Sequence, residues 1–134
     1  MITEIQKSKK FRRLNPQSIE KAKTYTLRFA KANLETWQSI KSGKKKVETR
    51  AGTIKYLPIK KGDTLIMSCA GKKFKKEIKN VTHFKNLTSL FKKYSPNTIH
   101  PGIGGTKNMI VQYHSFPGYK EKIAEFGILA FELN

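Results

Sequence analysis

Cysteine occurs once in this chain and acidic side chains nine times, and no apolar run approaches the roughly 18 residues that a membrane-spanning helix needs. Each scarcity excludes something. The lone Cys69 rules out an internal disulfide, and its place in the apolar stretch DTLIMSCA makes a buried, inert thiol the expected state. Without a long apolar run there is no candidate helical span. The opening MITEIQKSKK has acid and amide residues where a secretory signal would carry its apolar segment, so a reducing cytoplasm is the expected location. Histidine is sparse as well: His83, His100 and His114 lie far apart, and no cysteine or histidine pair has ligand spacing, so neither a metal nor a cofactor is expected.

The counterpart of so few acids is an excess of base. Lysine and arginine number 28, giving a net charge of +19. Residues 1–23 hold seven of these cations (Lys7, Lys9, Lys10, Arg12, Arg13, Lys21 and Lys23) against Glu4 and Glu20, which leaves +14 on residues 24–134. The excess therefore belongs to the folded body and not only to an arm. Such a field attracts polyanions, and nucleic acid is the expected partner, bound through counterion release and hence sensitive to salt. An anionic membrane surface would call for a long helix with a basic face opposite a broad apolar one, and the sequence offers none. A length of 134 residues suits one domain, so the expectation is a basic arm over 1–23 and a single domain over 24–134.

Along that domain, TYTLRFA (24–30) reads as a strand from its β-branched and aromatic content. A helix follows, with Asn33 placed to cap it, Leu34, Trp37 and Ile40 at helical spacing, and Ser42 and Gly43 at its end. KKVETRA and TLIMSCA are further strands, separated by a loop that turns at Gly62 and Asp63. In KKFKKEIKNVTHF (72–84) one alternate face is Lys73, Lys75, Glu77 and Lys79, as expected of an edge or barrel-rim strand with a basic stripe. A helix is expected around 87–94, another over PGYKEKIAEFG, and a closing strand at ILAFEL, whereas SPNTIHPGIGGTKN has no assignable pattern. Strands and short helices without regular alternation give an α+β fold of five or six strands, a small barrel or curled sheet.

Three stretches carry chemistry. GIGGTK lacks the glycine-lysine-serine/threonine order of a nucleotide-triphosphate loop, and is either a flexible turn or a source of backbone amides for a phosphate. VQYHSFPGY groups Tyr113, His114, Phe116 and Tyr119. Aromatics beside basic surface stack nucleobases, although such rings also serve as core. GKKKVETR sets Glu48 among cations. Glu48 and Arg50, two apart on a strand, share a face, and Lys45 stands at the helix-to-strand junction. If that face is covered, Glu48 must be paired with Lys45 or Arg50; if it is open, the group is a surface ion pair of about 0 to 1 kcal/mol.

The order glycine, any, lysine, any, any, glutamate, any, arginine at Gly43, Lys45, Glu48 and Arg50 resembles the signature of the ASCH (activating signal cointegrator homology) family of the PUA-like superfamily. The context is similar too: an apolar helix after a first strand precedes it, and KKGDTLIMSC and EFGILAFEL resemble the family's next glycine-aspartate strand and its closing strand. The likeness spans roughly residues 24–134. It implies a PUA-like small β-barrel with flanking short helices, a cleft lined by the signature residues, and RNA binding. Some small bacterial members are amidohydrolases that remove an acetyl group from cytidine, using the signature lysine with a threonine and a glutamate. Lys45 matches that lysine, but Glu48 takes the threonine's place, and the region of the second carboxylate reads GTKNM, with Lys107 and no acid.

The expected function is therefore an RNA-binding domain in which Lys73, Lys75 and the arm hold phosphates. Gly43, Lys45, Glu48 and Arg50, with Tyr113 and His114, would line a cleft for a nucleotide or base. The alternatives are an amidohydrolase of a modified nucleoside, with Lys45 and Glu48 catalytic, and an interaction module for an acidic protein. A lysine that acts as base or nucleophile must lose its proton, which a carboxylate neighbour opposes, so Glu48 favours a binder.

Overall fold

The computed structural model describes residues 21–134. The expected arm over 1–23 lies outside them except for its last three residues. The order of elements is β1 (Thr24–Phe29), a short 3-10 turn (Lys31–Asn33), α1 (Leu34–Lys41), β2 (Val47–Ala51), β3 (Thr64–Cys69), β4 (Lys72–Phe84), α2 (Leu87–Lys93), α3 (Pro96–Ile99), α4 (Thr106–Ser115), α5 (Tyr119–Phe126) and β5 (Ile128–Leu133). The five strands form one sheet in the order β1-β3-β4-β5-β2, with only the β1/β3 pair parallel. The fold is α+β, a five-stranded sheet curled into a half-barrel with short helices around it.

β4 makes the curl. Its first half, Lys72 to Glu77, pairs with β3, and its second half, from Ile78 to Phe84, pairs with β5. It is therefore a central strand and not the edge strand its lysines suggest; the basic residues occupy a solvent face, not a free hydrogen-bonding edge. Between the halves the register slips, so that Ile78 faces Leu133 but Asn80 faces Glu132, leaving Lys79 as the extra residue of a bulge. The bulge reverses parity. Phe74 and Ile78 face the inner core before it and Val81 after it, while Phe84 points to the other side.

Two apolar clusters result. The concave face gathers Leu27, Phe29, Leu65, Met67, Ile78, Leu129 and Phe131 with Trp37 and Ile40 of α1. Trp37 is the core anchor its spacing suggests: its ring lies 5.1 Å from Phe74, and its indole N–H donates to the Met67 carbonyl at 3.0 Å. The opposite face of β2 and β5 (Val47, Ala51, Ile128, Ala130) is covered by Leu90 and Tyr94 from α2 and its end, Ile99, Met109, Tyr113 and Ile123. β5 is thus buried on both sides, which its nearly unbroken apolar sequence ILAFEL permits. Among the described residues, no helix lies over the outer face of β1, β3 and the first half of β4 in the main packing contacts.

The remaining polar core group is structural. Asp63 is fully buried and its carboxylate accepts the backbone N–H groups of Lys23 and Lys60, both at 2.9 Å, tying the entry of β1 to the turn before β3. Cys69 is buried, as expected. No helix among the described residues is long and apolar enough to cross a membrane, and none of their side chains form a metal-binding cluster.

Candidate functional site

The two edge strands of the half-barrel, β1 and β2, do not pair with each other, and the seam between them holds a cavity of about 290 Å³. Its walls are Arg28, Phe29 and Ala30 at the end of β1, Asn33 of the 3-10 turn, Thr36 of α1, Lys45 and Glu48 to Arg50 at β2, Ile99 and His100, and Met109, Gln112, Tyr113, Phe116, Pro117 and Tyr119 from the α4–α5 corner. The volume is at the lower end of the ~300–1,000 Å³ usual for small-ligand sites.

The local sequence builds the charged floor. α1 ends at Lys41, and Gly43, with φ +84°, lets the chain reverse so that Lys45 N–H bonds to the Ser39 carbonyl at 2.9 Å. The turn delivers Lys45 inward while Lys44 and Lys46 stay in solvent. On β2, Glu48 and Arg50 stand opposite Phe131 and Leu129, on the concave side, whereas Val47, Thr49 and Ala51 face the helices.

The three charges are committed to one another and to the fold. Lys45 Nζ lies 3.3 Å from Glu48 Oε1, donates to the Val47 carbonyl at 2.6 Å and donates to the Ile99 carbonyl. Those three acceptors match the three N–H donors of an ammonium. Glu48 Oε2 accepts from Arg50 Nε at 3.3 Å and Nη2 at 3.2 Å. Arg50 Nη2 also reaches across the seam to the Arg28 carbonyl at 3.4 Å, Nη1 donates to the Tyr56 hydroxyl at 3.4 Å, and the guanidinium lies 4.9 Å from the centre of the Phe29 ring. Burial pushes the Glu48 carboxyl up, but Lys45 and Arg50 outweigh it and hold it below the usual carboxylate range. Burial lowers the Lys45 ammonium against the pull of Glu48. Arg50 is held above its ordinary value, because Glu48 and Tyr56 outweigh the opposing effect of burial.

The aromatic wall is supported from behind. The Tyr113 hydroxyl and Thr49 Oγ1 share a hydrogen bond of 2.6 Å, and the Ala51 N–H donates to the Tyr119 hydroxyl at 3.3 Å. Burial raises both phenols above their usual range. Phe116 and Tyr119 meet edge to face at 5.5 Å. His100 also faces the cavity, held below the ordinary imidazole range by burial and by Lys45, and its ring has no hydrogen-bond partner among the described residues.

The expected site residues thus divide. Lys45, Glu48, Arg50 and Tyr113 converge on the cavity. Gly43 lies outside it and serves as the turn. His114, one residue from Tyr113 on α4, is exposed and points elsewhere. Lys73 and Lys75 lie on the bare outer face of β4, in rows with Ser68 and Arg28 and with Ile66 and Thr26. Lys107 is exposed in the first turn of α4, and the glycines before it close a loop in which Asn97 accepts from Gly104 N–H at 3.1 Å. The residues that the sequence does not point to are Phe29, Thr49, Tyr56 and His100. Each is brought in by the sheet order or by the patternless stretch, and only the aromatic content of β1 gave any signal.

No protein-family model matches the chain, and no curated protein matches it. Two solved structures are similar to it. One is a crystal structure of the hypothetical protein PH0355, 25% identical with a TM-score of 0.68, the match covering 84% of this chain and 97% of that one. The other is the solution NMR structure of protein PF0455 from Pyrococcus furiosus, 23% identical with a TM-score of 0.62, covering 83% of this chain and 96% of the other. The curled half-barrel with its short flanking helices is accordingly a fold that this chain shares with PH0355 and PF0455 along nearly their whole length.

Proposed function

We propose that the chain is an RNA-binding domain of the ASCH type, which accepts a nucleotide base in the seam cavity and holds the adjoining phosphates on its basic outer face. One observation carries the reading: a cavity of about 290 Å³ walled by Phe29, Tyr113, Phe116 and Tyr119 over a pre-set Lys45-Glu48-Arg50 floor. Flat rings suit a flat base, and a carboxylate that stays ionised accepts from an exocyclic amine or a ring N–H. The cations of the outer face supply affinity without sequence preference, and the cavity supplies selection.

Two features weigh against the amidohydrolase alternative. Lys45 gives all three of its N–H groups to protein acceptors and presents no lone pair to a substrate carbonyl. Glu48 is held below the usual carboxylate range and is a correspondingly weak base. An interaction module for an acidic protein would use the outer cations but leave the seam cavity without a role.

Titration of a fluorescent single-stranded RNA at rising salt tests the proposal. Affinity falls steeply with salt, and Tyr119→Ala weakens binding at every salt concentration with the same slope. A flat salt dependence overturns it, as does measurable turnover of acetylated cytidine by the native chain.

A further inference from the structure

Beside the seam cavity lies a second hollow of about 470 Å³, formed along one stripe of α1, including Glu35, Gln38 and Ser39, and closed by Lys44 and Pro101. The two hollows share Thr36, Lys45 and His100 as lining, so they adjoin, with those residues as the waist between them. Chemistry changes at the waist. On one side the rings of Phe29, Tyr113, Phe116 and Tyr119, with Met109, stand over the charged floor; on the other the lining is hydroxyls, an amide, the Glu35 carboxylate and the lysines Lys44 and Lys45. The side chains of Glu35, Thr36 and Gln38 have no hydrogen-bond partner among the described residues, so their donors and acceptors face the hollow uncommitted.

We infer that the α1 hollow is a ribose subsite, and that through it the protein reads the 2′-hydroxyl and selects ribonucleotide over deoxyribonucleotide units. The inference rests on the base-binding reading of the seam cavity and extends it. A compartment walled by rings beside one lined by hydroxyls and an amide matches the division of a nucleoside into base and sugar. Glu35 decides which part of the backbone enters: a carboxylate accepts from a 2′-hydroxyl but repels a phosphate. The phosphate therefore stays at the rim, where Lys44 is exposed. His100 at the waist, with its ring uncommitted, is placed to bond the sugar where it joins the base.

Calorimetric titration of the full chain with adenosine, guanosine, cytidine and uridine, each beside its 2′-deoxy form, tests the assignment. At least one ribonucleoside is expected to bind roughly tenfold more tightly than its deoxy partner, the size of one hydrogen bond to a charged group. Glu35→Ala, at an exposed first-turn position, brings that ratio close to one; an unaltered melting curve verifies its fold. Equal affinities in the native chain overturn the ribose subsite and leave the base cavity standing. A ratio that survives in both Glu35→Ala and Gln38→Ala overturns the assignment to this hollow, and binding of neither nucleoside class overturns the base cavity with it.

Discussion

The same sheet carries charge in two ways. In the seam, Lys45 and Glu48 are buried and Arg50 is partly buried, and every one has partners on named strands and loops. On the outer face of the β1-β3-β4 half, Lys73 and Lys75 stand in solvent with no partner among the described residues. The difference is set by coverage: helices α2 to α5 pack against the β5-β2 half, and no described helix covers the outer face of the other. Buried charge has to be paired, so it becomes geometry; exposed charge is free to move and acts as a field. Lysine content alone says nothing about which of the two a given residue does.

The largest test of this contrast is Glu48→Ala. It strands two cations in the seam and costs about 3–5 kcal/mol, measured by urea unfolding. An effect below about 1 kcal/mol erases the contrast, because the seam would then behave as surface. The same residue gives a pH signature. Its pKa is lowered in the folded chain, so between that value and the ordinary ~4.3 the unfolded chain binds more protons, and stability rises with pH there. Glu48's contribution is complete above the unfolded value and disappears as pH falls through the folded one. The gap in stability between the native chain and Glu48→Gln should therefore narrow as urea melts are moved to lower pH.

Smaller effects sharpen the boundary between the regions. Gly43→Ala forces a left-handed backbone on a side chain; the cost is about 1–2 kcal/mol, almost all of it strain, since among the described residues an added Cβ would meet only Lys46 Nζ, at 4.0 Å. Tyr113→Phe removes one of two mutually bonded hydroxyls and costs about 1 kcal/mol, while Thr49→Val with Tyr113→Phe recovers part of it. At the outer face, Lys73→Gln with Lys75→Gln leaves stability within about 0.5 kcal/mol. It lowers the salt slope of RNA binding by about 0.7 per lysine. A stability loss there as large as at Glu48 would dissolve the distinction.

The sequence made most elements legible because their periods are clean. All five strands fall where alternation or β-branched content placed them, and Trp37 and Cys69 are core. α4 escaped notice because its first turn follows glycines with positive φ, and its buried positions, Met109 and Tyr113, are interrupted by exposed Val111 and His114. Spacing on β2 correctly put Glu48 and Arg50 on one face. It could not say that this face looks across an unclosed seam, since that depends on the order β1-β3-β4-β5-β2 and on the parity change at Lys79. His114 drew attention as the histidine among aromatics, but it is His100, from the patternless stretch, that reaches the cavity. A helix turn of one residue separates a ring that faces the core from one that faces water.

β4 has a further consequence. Because its thirteen residues belong to the pairing of both halves, neither apolar cluster can come apart without breaking hydrogen bonds that the other relies on. Hydrogen exchange should find the amides of that strand slowest on either side of Lys79, and the whole domain should melt as a single cooperative unit despite having two hearts.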